Sequence, residues 1–158
     1  MERNDKNMRP QRQPDVNMSK IDSILIDIQR KLRDSLQPYC VENLNSFERK
    51  RIHDFFDNKE DFETRTYRQE EQYVLKVIPV GNLKRLAKEI TEKVLENGDP
   101  AVLPYVGSYE RYIIHNYLKD FEGIETKSIG EGLERRLEIK PLRFGRALKK
   151  IIKKIKLF

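Results

Sequence analysis

The chain has 158 residues, of which 37% are charged and 37% hydrophobic, enough for two small domains or one fused pair. No apolar run is long enough to span a bilayer, residues 1–17 lack the hydrophobic stretch of a signal peptide, and the single cysteine, Cys40, excludes an internal disulfide and a cysteine-rich metal site. These features predict a cytoplasmic protein that uses neither a metal nor a cofactor. Its net charge of +6 is unevenly spread: residues 1–20 carry +2, 21–80 carry −2, 81–142 carry −1 and 143–158 carry +7. Outside the C-terminal tail, any affinity for nucleic acid must therefore come from a local arrangement of charges.

Residues 1–20 read as a disordered, polar arm. From there the chain states one pattern twice, because residues 21–80 align with residues 83–142 at a constant offset of 62 and without a gap. In the first unit Ser19 is placed to cap a helix whose apolar face is Ile21, Ile24, Leu25, Ile28, Leu32 and Leu36. A short apolar stretch after Pro38, Tyr39 to Leu44, suits an edge strand; Ser46 then starts a second helix. Two alternating segments follow, Phe62, Thr64 and Thr66, then Tyr73, Leu75 and Val77, which read as a hairpin.

The second unit repeats this order. Asn82 is placed to cap a helix with Leu83, Leu86, Ala87, Ile90 and Val94 on one face, which stops at Asn97-Gly98. Ala101 to Val106 gives the edge strand, Ser108 the start of the next helix, and Ile124, Thr126 and Ser128 with Leu137 and Ile139 the hairpin. The predicted fold class is α+β: two tandem helix-strand-helix-strand-strand repeats, each a three-stranded sheet with two helices on one face and the other face open.

The offset brings the two histidines of the chain into register, each on a Glu-Arg-x-x-x-His segment: Arg49 with His53 and Arg111 with His115. Four residues apart on a helix, the members of each pair lie side by side. A guanidinium beside an imidazole is a compact donor set for phosphate oxygens. The competing reading makes the arginine the partner of a nearby carboxylate and the histidine a half-buried helix residue. Tyr109, Tyr112 and Tyr117 are candidates to stack on bases, one or two of them being spent in the core instead.

The run Gly107-Ser108-Tyr109-Glu110-Arg111-Tyr112-Ile113-Ile114-His115-Asn116, followed by Gly123-Ile124-Glu125-Thr126, Gly130-Glu131-Gly132 and Arg135-Arg136-Leu137-Glu138-Ile139-Lys140-Pro141, closely resembles the R3H domain. Within that family it looks most like the C-terminal domain of the bacterial Jag (SpoIIIJ-associated) proteins. The resemblance covers residues 83–142. It implies binding of single-stranded nucleic acid, RNA in the first place and DNA as the alternative, in a bacterial cytoplasm, with Arg111 and His115 as the contact pair. Lys127, Arg135, Arg136 and Lys140 are secondary candidates to extend the contact along the strands.

Two departures qualify the likeness. Jag-like proteins carry a KH domain with a Gly-x-x-Gly loop before this module, and none is readable here. Its place is taken by the unit at residues 21–80, which keeps Arg49 and His53 but has Asp61, Arg68 and Glu70 for the glycines and Tyr73-Val74 for the paired arginines. It is a divergent copy, either a second binding site through Arg49, Arg51 and His53 or a support for the other unit.

The tail at residues 143–158 sets Leu148, Ile151, Ile152 and Ile155 on one helical stripe, with lysines around them. An RNA-backbone arm, a helix packed on the domain and an anchor on an anionic membrane surface all fit that pattern. For the whole chain the first expectation is a non-enzymatic binder of low sequence specificity. A protein-interaction module with vestigial binding and a phosphodiesterase using both histidines are the rival classes.

Overall fold

The computed structural model of the protein describes residues 19–142. Most of the predicted N-terminal arm and the whole basic tail lie outside the described residues. The described residues open on Ser19, the cap that the sequence predicts for the first helix. The Ser19 side chain accepts from the Asp22 backbone N–H while Asp22 reaches back to the Ser19 N–H, closing a capping box on α1 (Lys20–Leu32).

The chain continues through β1 (Tyr39–Val41), α2 (Ser46–Phe56), β2 (Glu63–Gln69), β3 (Gln72–Ile78), α3 (Val80–Asn97), β4 (Ala101–Val102), α4 (Ser108–Leu118), β5 (Ile124–Ile129) and β6 (Arg136–Pro141), with a 3₁₀ turn at Gly132–Glu134. The architecture is α+β: four helices with two antiparallel three-stranded sheets, ordered β1-β3-β2 and β4-β6-β5. Their registers run in parallel. Tyr39 lies opposite Val77 where Ala101 lies opposite Ile139, and Thr64 opposite Val77 where Thr126 lies opposite Ile139.

Both edge strands are shorter than the apolar stretches that predict them. After β1 and β4 the chain turns inward, burying Leu44 and Val106 and swinging their carbonyls toward the following helix. As the sequence predicts, Ser46 and Ser108 are the first residues of α2 and α4, with Asn45 and Gly107 at the cap positions. Asn82, by contrast, is not a cap of its own helix, since α3 starts from Pro79. Its side-chain amide instead donates to the carbonyls of Leu32 (2.8 Å), Arg33 (3.2 Å) and Ser35 (2.9 Å), closing the C-terminus of α1. The α3 terminus behaves as its sequence predicts, with Gly98 in the left-handed region at φ 76°.

Each sheet packs a helical layer over its own apolar core, one around Ile28, Leu32, Ile52, Phe56, Leu75 and Val77, the other around Leu83, Val94, Ile114, Leu118, Leu137 and Ile139. The cores are not independent, because Ile78 of β3 and Leu36 pack with the second one. That corrects the expectation of an open far face on the first sheet. Ile78 points away from the helices over its own sheet, and Glu63 on the same far face meets Tyr109 of α4.

Candidate functional site

The site begins with the inward turn after β4. It places the Val106 carbonyl against α4, and Arg111 Nη1 donates to it at 2.8 Å, with a longer contact to the Arg135 carbonyl at 3.3 Å. One helical turn on, His115 hydrogen-bonds through Nδ1 to the Thr126 hydroxyl of β5. Arg135 comes from the short 3₁₀ turn before β6 and donates from Nε to Ser128 Oγ at 2.9 Å. The alternation of β5 puts Thr126 and Ser128 on the helix-facing side, so the three cationic or titratable groups converge.

Between α4 and the hairpin they line a groove of about 340 Å³ together with Ser108, Tyr112, Thr126, Ser128 and Leu137. Among the described residues, Arg111 Nη2 and Nε, both Nη atoms of Arg135, and His115 Nε2 are left without partners. An anion at Nε2 selects the tautomer in which Nδ1 accepts from Thr126 and Nε2 carries the proton. With no carboxylate paired to either arginine in the groove, the internal ion pair weighed as the competing reading is absent among the described residues.

The corresponding residues of the first half are spent internally. Arg49 Nη1 donates to the Leu44 carbonyl at 2.5 Å, as Arg111 does to Val106, but the Tyr73 ring then covers the guanidinium at 4.7 Å. Tyr73 occupies the position that Arg135 holds in the second half. His53 is bonded through both ring nitrogens, Nδ1 to Thr64 at 2.5 Å and Nε2 to Thr66 at 2.9 Å. Arg51 does not join this pair, since a two-residue step turns a helix side chain roughly 200° away; it stands exposed where Ile113 is buried in the second half.

The secondary candidates divide. Arg135 is in the groove, whereas Lys127, Arg136 and Lys140 point to the far face of the second sheet by the same alternation. There Lys140 pairs with Glu138 at 3.0 Å, and Arg136 donates to the Leu133 carbonyl at 3.0 Å with its guanidinium 4.9 Å from the Tyr105 ring centre. Lys127 is exposed opposite Glu138 in the ladder. The residues missed by sequence reasoning are Ser108, Thr126 and Ser128. The alternating pattern of β5 already put the last two on the helix-facing side.

The three tyrosines of α4 also separate. Tyr117 packs against the core and Phe121, ring centres 5.1 Å apart. Tyr109 is half-buried and donates its hydroxyl to Glu63 Oε1 at 2.6 Å; burial, reinforced by that bond, pushes its pKa up to about 12. Burial also pushes the Glu63 carboxyl up, but hydrogen bonds from Tyr109 and Arg65 outweigh it and hold the group below the ordinary carboxylate value. Tyr112 is 58% exposed at the rim of the groove.

Residues 81–141 match the sequence model of the R3H domain. R3H domains in general bind single-stranded nucleic acid. A comparison with curated proteins gave no match.

Proposed function

We propose, from the R3H domain at residues 81–141, that the protein binds single-stranded RNA by seating backbone phosphate on Arg111, His115 and Arg135. The observation that carries this reading is the groove itself, where three side chains present unpaired donors to one space with no carboxylate to neutralise them. Charged donors of this kind suit phosphate oxygens and carry little direct base information, so sequence preference is low.

The two halves are read as one duplicated unit, on the strength of the shared offset and the parallel registers. The first is then the divergent copy, its arginine covered by Tyr73 and its histidine held at both nitrogens, and its part is support and not binding. The same occupancy of His53 speaks against a two-histidine phosphodiesterase, which needs both imidazoles free to trade protons. Binding without catalysis, in a Jag-like protein of the bacterial cytoplasm, is the function that fits.

Fluorescence anisotropy with a labelled single-stranded RNA oligomer tests it. Arg111→Ala with His115→Ala should weaken binding at least tenfold, since each charge-assisted hydrogen bond contributes roughly 1.5–3 kcal/mol. Arg49→Ala with His53→Ala should change it less than threefold once folding is verified. Equal losses would make the first half a full binding site.

A further inference from the structure

An exposed tyrosine on a helix ordinarily needs no explanation. Tyr112 differs in what surrounds it. Its ring borders the groove beside Arg111 and His115 and is stacked on Tyr109, with ring centres 5.8 Å apart and planes 28° from parallel. Tyr109 is fixed in turn by the first half of the molecule. Its hydroxyl is tied to Glu63 at 2.6 Å, the Arg65 guanidinium lies 3.9 Å from its ring centre, and Arg65 Nε closes the set by donating to the same Glu63 oxygen at 2.9 Å. Three residues of two different halves thus hold an aromatic face in place at the rim of the candidate anion site.

We propose that Tyr112 is a stacking platform for an unpaired base next to the phosphate held by Arg111 and His115, and that Glu63 and Arg65 of the first half are its positioning residues. The inference rests on the phosphate reading of the groove and adds a base-recognition element to it. Every base has a π-face, so a stacking platform contributes affinity without sequence preference. Holding the ring in place beforehand lowers the ordering cost of binding. It also gives the first half a function that does not require a binding site of its own, namely to buttress the aromatic rim of its neighbour.

The test compares an oligouridylate with an abasic phosphodiester oligomer of equal length and charge, on the full chain. Wild type should prefer the oligouridylate. Tyr112→Ala should weaken oligouridylate binding by roughly 5- to 100-fold, the effect of losing one stacked base, and leave the abasic oligomer unchanged. Tyr112→Phe should retain wild-type behaviour. Arg65→Ala should reduce the preference for bases without altering abasic affinity, which a merely stabilising role would not do. Because the chain contains no tryptophan, Tyr112→Trp supplies a single indole whose fluorescence should be quenched by the oligouridylate and not by the abasic oligomer. Equal wild-type affinity for the two oligomers, or an unquenched indole on binding, overturns the stacking inference while leaving the phosphate site standing. Failure of wild type to bind either oligomer overturns both.

Discussion

The loop that delivers Arg135 to the groove depends on Gly130, and Gly130→Ala tests that dependence. Gly130 sits at φ +79°, and a Cβ there would come 2.8 Å from the Glu134 carbonyl oxygen and 3.4 Å from the Arg135 Cα. Both obstacles are backbone, so relief requires the 3₁₀ turn to move. Two residues on, Gly132 has φ +51° but nothing within 4 Å of its would-be Cβ. Left-handed backbone costs a non-glycine residue about 1 kcal/mol, and forced overpacking a further 1–3 kcal/mol. Gly132→Ala should therefore cost about 1 kcal/mol and Gly130→Ala about 2–4 kcal/mol. At roughly 4 °C per kcal/mol these are falls in Tm of about 4 °C and 8–16 °C. The first half supplies its own control, since Glu70, 62 positions before Gly132, adopts φ 53° with a full side chain.

For binding, the two variants should part more sharply. Moving the turn withdraws Arg135, and losing one charge-assisted hydrogen bond lowers affinity roughly tenfold to a hundredfold. Gly132→Ala should bind as wild type, and Arg135→Ala should reproduce the binding defect of Gly130→Ala with little loss of stability. Urea unfolding and anisotropy titrations on the same preparations separate the terms. Equal stability of the two alanine variants would refute the close approach at Gly130, and unaltered binding by Arg135→Ala would remove that residue from the site.

Two other expectations follow from charge. With its folded pKa raised to about 12, Tyr109 keeps its hydroxyl protonated longer than an unfolded tyrosine; the bond to Glu63 stabilises the fold fully below about pH 10, and that contribution is lost as pH rises through 12. Absorbance titration of tyrosinate should show this late-ionising group and lose it in Tyr109→Phe; an unchanged titration would mean the hydroxyl is not held. Removing residues 143–158, which carry seven positive charges, should flatten the slope of log K against log salt by about 3 if roughly four of them neutralise RNA phosphates, and an unchanged slope with the fold intact would rule out the RNA arm.

What the sequence made legible was whatever repeats. A constant offset carries helix faces, hairpin positions and the Arg/His pairs together, and it places the Arg49 to Leu44 and Arg111 to Val106 contacts at matching positions. Contacts that join unlike partners were hidden. Asn82 reads as a cap for the helix it stands on because that relation is local, while its real partners are carbonyls some fifty residues earlier. The covered far face of the first sheet was invisible for the same reason: a three-stranded unit taken alone has nothing to put there, and Ile78 packs into the core of the other half while Glu63 accepts from Tyr109 across the two halves. Arg135 and Arg136 look like one basic pair in sequence. A strand sends consecutive side chains to opposite faces, so only Arg135 reaches the groove.

The difference between the two Arg/His pairs then comes down to two substitutions on the hairpins. Where the first half has Thr66, the second has Ser128; where the first has Tyr73, the second has Arg135. In the first half the Thr66 hydroxyl takes His53 Nε2 and the Tyr73 ring covers the Arg49 guanidinium, so the imidazole is bonded at both nitrogens and the arginine is overlaid within the fold. In the second half Arg135 engages the Ser128 hydroxyl itself. The same arginine that adds charge to the groove thereby draws away the group that would occupy the imidazole, and His115 keeps Nε2 turned to the groove with no partner among the described residues. A buried or satisfied donor binds nothing new, since a ligand must first break what it replaces. The second half thus keeps its donors available for a ligand, while the first half uses the same chemistry to hold itself together.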